Sequence, residues 1–158
     1  MPAGDVTMTQ TELVVAWDGR AASVAALSFA VGLARSLEAH IHVVHVADVD
    51  DLPIDPDSYD WEEELDTRLA TLSESARSFL QPSGANWTYH SERGHPSSVI
   101  SRIAERVDAR MIVLGDQSGG MRSFIERITG LSVCRQLVGH HSRPLLLVSG
   151  RVTARELI

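Results

Sequence analysis

The chain of 158 residues contains no lysine; all 14 of its basic residues are arginines. That absence removes the point-charge ligand on which a Walker-type phosphate loop depends. Basic residues of any kind are outnumbered, and the formal net charge is −7. An acidic surface repels phosphodiester backbones, so general nucleic-acid binding is disfavoured. Cysteine is nearly absent too. Cys134 stands alone and can form no internal disulfide, which agrees with a reducing cytoplasm. Aromatics make up 5% of the residues against 44% apolar, so an aliphatic core is expected. The longest apolar runs, "MIVLG" and "PLLLVSG", are too short to span a bilayer. The opening "MPAGDVTMTQTE" shows no basic patch followed by an apolar segment, so no secretory signal is expected. The expectation is a cytoplasmic protein without membrane or nucleic-acid partners.

What is present alternates between two periodicities. "ELVVAWDG" (12–19) is a short apolar run closed by Asp-Gly and predicts a buried strand ending in a tight turn. Residues 20–39 are rich in Ala and Leu, with apolar positions 27, 30, 31, 34 and 37 at helical spacing. "HIHVVHVADV" (40–49) predicts a second buried strand. An acidic loop with two prolines covers 48–60, and a helix is predicted over 61–81, its first turn acidic as the helix dipole favours. Residues 85–92 alternate in polarity, as a more exposed strand does. A helix over 94–109, a strand over 110–116, a mainly helical stretch over 121–141 and a strand over 143–150 follow. Strands that alternate with helices imply a doubly wound parallel sheet between two helical layers, a three-layer α/β sandwich. The expected organisation is a tail (1–11), one domain (12–150) and a C-terminal tail (151–158). Ligands of such sheets lie beyond the carboxyl ends of the strands, at the switch point of strand order. Asp18-Gly19 and Gly115 both close strands, and they share a crevice if the first and fourth strands are neighbours.

Several of these pieces occur together in a known order. "LVVAWDGRAASVAALSFAVGLARSLEAHIHVVHV", "GHPSSVISRIAERVDARMIVLGDQSGG" and "VCRQLVGHHSRPLLLV" resemble the opening, middle and closing segments of the universal stress protein family. The resemblance implies the adenine nucleotide alpha hydrolase-like fold and a stress-response regulatory or binding module. It also implies a homodimer that pairs through the last strand, and ATP with Mg²⁺ as a ligand held without efficient turnover. The nucleotide-binding residues it implies are Ala16, Asp18, Val46, Gly115, Gly119, Gly120, Gly130, Ser132 and Val133. Asp18 and the chain around Val46 would take adenosine, and the glycines with Ser132 the phosphates. Glycine-rich backbone N–H groups beside a helix start suit anions.

The phosphate stretch "GDQSGGMRSFIERITGLSV" (115–133) departs from the family pattern. Ser118 holds the second glycine position, and Leu131 separates Gly130 from Ser132. The loop is two residues longer than the pattern, and Asp116 adds a negative charge that Arg122 or Arg127 would have to offset. Two alternatives therefore stay open. One is a nucleotide-free module of the same fold acting through an unknown protein partner. The other is a slow ATP-hydrolysing or adenylating enzyme, although no general base or arginine is placed by motif for hydrolysis. "SGGMRS" (118–123) also resembles the loop of ATP pyrophosphatases, but that loop follows the first strand and has aspartate where Arg122 stands.

The remaining candidates favour structural roles. His40 and His42 share a strand face, yet two histidines at a strand start are expected to be packing residues, so no metal is assigned. The same holds for His140-His141 near a helix end. The acidic run 48–66 lacks the Asp-x-Asp-x-Asp-Gly spacing of a calcium loop. Cys134 is expected as a packed thiol. Trp17 is expected in the core or against the adenine.

Overall fold

The computed structural model describes residues 9–48, 59–116, 133, 136–138 and 143–150. Residues 1–8 and 151–158 of the predicted tails, the acidic loop from 49 to 58, and Gly119, Gly120, Gly130 and Ser132 lie outside the described residues. So do Arg122, Arg127, Cys134, His140 and His141.

Strand β1 (Glu12–Ala16) leads into helix α1 (Ala21–Leu37), and β2 (His40–Ala47) follows. Helix α2 (Trp61–Leu80) precedes β3 (Asn86–Arg93), then come α3 (Pro96–Arg106), β4 (Met111–Asp116) and β5 (Leu145–Ser149). Val133 and residues 136–138 are helical and precede β5. The five strands run parallel in the order β3-β2-β1-β4-β5. The chain thus moves outward from β1 to β3, crosses over, and resumes beside β1 with β4. That is the switch point anticipated above, with Asp18 and Gly115 on either side of it.

The strands are buried because helices cover both faces. Leu13, Val15, Ile41, Val43 and Val113 point toward α1 and α2, where they meet Leu27, Ala30, Ala34, Ala76 and Leu80. Val14, Val44, Ile112 and Leu114 point the other way, onto Val99, Ile100, Ile103 and Ala104 of α3 and onto Leu137. Alternate residues of each central strand therefore feed two separate cores. β3 alternates between exposed and half-buried positions, as expected of an edge strand.

Local signals account for the helix boundaries. Gly19 takes φ +77°, the left-handed conformation that Asp-Gly foreshadows, and turns the chain into α1. Glu62, Glu63 and Glu64 occupy the first turn of α2. Pro96 starts α3, where its missing N–H costs nothing. One helical position departs from expectation. Leu37 continues the apolar spacing of α1 but is 40% exposed, because the helix ends there and Glu38 turns away with φ 52°. No helix among the described residues is long and apolar enough to cross a membrane.

Candidate functional site

The ends of β1, β2 and β4 open into one cleft with a cavity of about 200 Å³. Ala16, Trp17 and Asp18 come from β1, Val44 to Asp48 from β2, and Leu114 and Gly115 from β4. Arg20 and Ser23 at the start of α1 form one rim, and Pro96 and Ile100 of α3 another. Leu65, Arg68, Leu69 and Leu72 of α2 wall the third side, and Val133 completes the lining. Five of the nine sequence-predicted residues, Ala16, Asp18, Val46, Gly115 and Val133, thus meet at a single cavity. The other four lie outside the described residues.

The floor of the cleft is held by a polar frame. The N–H of Trp17 donates to the Val44 carbonyl at 2.8 Å, continuing the β1–β2 ladder past the last strand residue. His45 Nδ1 donates to the Trp17 carbonyl at 2.9 Å. The indole Nε1 of Trp17 donates to the Leu72 carbonyl at 3.1 Å. The residue is only 3% exposed and packs in the α1–α2 core, as expected of a core residue, and it also lines the cleft.

Asp18 is exposed at the mouth, and its Oδ1 accepts from the Arg20 N–H at 2.9 Å. This turn bond shapes the entrance to α1 and fixes the direction of the carboxylate. Gly115 carries a second constraint. A Cβ there would overlap the backbone of Ala22, so the first turn of α1 can lie against β4 only if residue 115 has no side chain. Gly115 is therefore a packing requirement.

Sequence reasoning missed the contribution of α2. Leu65, Leu69 and Leu72 form a helical stripe with Arg68 beside it, and this stripe brings a guanidinium to the cleft. The spacing was visible in the sequence; its position over the strand ends was not. Arg20 lines the cleft as well, so two arginines stand at it among the described residues.

The sequence and the fold are matched by known proteins. Residues 11–149 match the Universal stress protein family. The chain belongs to that family. A universal stress protein of Methanocaldococcus jannaschii is 26% identical over 141 residues, which cover 87% of this chain and 81% of the relative. Among solved structures, the universal stress protein from Archaeoglobus fulgidus in complex with dAMP is 26% identical with a TM-score of 0.63, over 89% of this chain and 99% of that one. A universal stress protein family protein of Arabidopsis thaliana with AMP bound shares the fold at a TM-score of 0.61 and 18% identity, over 88% and 91% of the two chains.

At the opposite ends of the strands this universal stress protein carries a second polar group. His42, 9% exposed, donates Nε2–H to Glu12 Oε2 at 2.8 Å. Its Nδ1 lies 3.0 Å from His90 Nε2. His40 Nε2 lies 2.8 Å from Thr88 Oγ1, and the His40 and His42 rings are 4.7 Å apart. Burial, followed by the neighbouring His42, pushes His40 and His90 below the ordinary histidine value.

Proposed function

We propose that this protein is a regulatory module that binds an adenine nucleotide in the cleft at the β1/β4 switch point. The observation that carries the reading is the convergence of Ala16, Asp18, Val46, Gly115 and Val133 on one cavity. These residues come from separate stretches of chain, and the family resemblance assigns all of them to the nucleotide. The dAMP and AMP held by the two relatives described above support the same ligand class.

In this account Asp18 accepts from the adenine or ribose, and the apolar walls at Ala16, Val46 and Ile100 cover the base. Arg20 and Arg68 meet the phosphate charge at the rim. A triphosphate would bring Mg²⁺ with it, and the metal's charge would offset Asp18 and Asp48 near the mouth. Nucleotide binding then adjusts the association of the protein with a partner rather than driving turnover. The functional unit is a homodimer formed through β5, the edge strand at which the sheet order ends.

The test is calorimetric titration with AMP and with ATP plus Mg²⁺, on the unmodified protein and on Asp18→Ala and Arg68→Ala. Saturable binding weakened about tenfold by Asp18→Ala supports the adenosine site. Weakening by Arg68→Ala that is larger for ATP than for AMP supports the phosphate assignment. Absence of binding by either nucleotide at millimolar concentration contradicts the proposal and favours a nucleotide-free interaction module.

A further inference from the structure

The histidine-rich group at the start of β1 and β2 lies at the far end of the sheet from the cleft. Glu12 is the first residue of β1 and pairs in register with His40, the first residue of β2. His42 follows on the same face of β2. Their backbones are thus fixed by adjacent parallel strands rather than by loops. One carboxylate oxygen and one nitrogen from each ring lie within 4.8 Å of one another.

We propose that Glu12, His40 and His42 form a three-ligand site for a borderline divalent transition metal, Zn²⁺ above all, with a fourth position left to water. The donor set is the first argument. Two imidazoles and one carboxylate suit Zn²⁺, and three protein ligands with an open position make a tetrahedral site. Hard cations such as Ca²⁺ and Mg²⁺ want six or more oxygens, and this group offers one carboxylate.

The geometry is the second argument. Zinc bonds of about 2.0–2.1 Å place tetrahedral ligand atoms roughly 3.3 Å apart. The His42–Glu12 pair stands at 2.8 Å, close to that spacing and on its near side. The rest of the set lies within 4.8 Å, so side-chain rotations can close the site while the strands stay in place.

The third argument is the support around the ligands. Metal-bound histidines hold their other nitrogen on a partner, which sets the tautomer and ring plane. His42 has His90 in that position at 3.0 Å, and His40 has Thr88 at 2.8 Å. In the metal-free protein His42 gives its Nε2 proton to Glu12, so Nδ1 accepts from His90. A metal on His42 Nε2 moves the ring proton to Nδ1, and the bond to His90 reverses direction. A bound ion would link the starts of β1 and β2.

The experiment uses the full chain without an affinity tag, stripped with a chelator and titrated with Zn²⁺ alone by calorimetry. Co²⁺ serves as the spectroscopic probe of coordination. The expected result is one Zn²⁺ per chain and the strong visible absorption of tetrahedral Co²⁺. His42→Gln should abolish both signals. His42 is buried, so His40→Gln provides the second variant: it should weaken Zn²⁺ binding at least about tenfold while the metal-free protein melts within about a degree of the parent. No saturable binding at micromolar Zn²⁺ overturns the proposal. So does one-to-one binding that both variants leave unchanged, since the metal then sits elsewhere.

Discussion

The indole Nε1 of Trp17 donates to the main-chain carbonyl of Leu72 across 55 residues of sequence. The bond ties the end of β1 to the middle of α2 and holds one wall of the cleft against its floor. Gly19 reinforces the approach, because a Cβ at that position would come within 2.6 Å of Leu72 Cδ2. Trp17→Phe removes the donor and part of the ring volume. It should cost about 1–3 kcal/mol, and chemical denaturation should show a lower midpoint. Nucleotide affinity should fall with it, because α2 then stands less firmly over the strand ends.

Gly115→Ala tests whether that glycine is a packing residue as well as a cleft residue. The added methyl meets the Ala22 backbone, which cannot rotate out of the way. The variant should lose about 2–3 kcal/mol of stability, or fail to accumulate, before any ligand is added. A thermal melt without nucleotide checks this. An unchanged melting temperature would mean that α1 does not lie against β4 as described.

Tyr89 lies in β3 with its hydroxyl buried and without a hydrogen-bond partner among the described residues. Burial pushes its ionisation up to about 12. Below pH 10 the ring is protonated in both folded and unfolded chains and adds no pH dependence. Between pH 10 and 12 the unfolded chain loses the proton first, so stability should fall as pH rises through that window. Tyr89→Phe removes the unsatisfied hydroxyl. It should raise stability by about 1 kcal/mol near neutral pH and flatten the alkaline loss. Urea melts at pH 8 and pH 11 decide the matter.

Leu147 is 44% exposed on β5, the outer strand beside β4. If β5 pairs across a two-fold axis, Leu147→Lys should place a charge in the contact and convert a dimer to a monomer at micromolar concentration. Light scattering reads the mass directly. A parent protein that is already monomeric would contradict the dimer.

Most of the fold was legible in the sequence because each central strand is a short apolar run bounded by a turn residue. Asp18-Gly19 after β1 and Gly94-His95-Pro96 before α3 mark their boundaries through local chemistry alone. Strand order was less legible, because periodicity shows that a strand is buried but not beside which neighbour. The cleft was therefore foreseen where strand ends carry it, at Asp18 and Gly115, and missed where a helix crosses it, at Arg68 and Leu72. The histidine group shows the same limit. His40 and His42 were visible as a pair on one face, but Glu12 joins them only through the β1–β2 register.

The central claim is nucleotide binding at the switch point, and thermal unfolding with and without ligand tests it most directly. Purified protein should be melted alone, with AMP, and with ATP plus Mg²⁺, each nucleotide at millimolar concentration. A ligand at about 100 times its dissociation constant adds roughly 2.7 kcal/mol, which raises the melting temperature of a domain this size by roughly 5–10 °C. The account predicts such a rise with at least one of the two nucleotides, and its loss in Asp18→Ala measured against that variant's own baseline. An unmoved melting temperature with both, together with no nucleotide released when the protein is denatured, would contradict it.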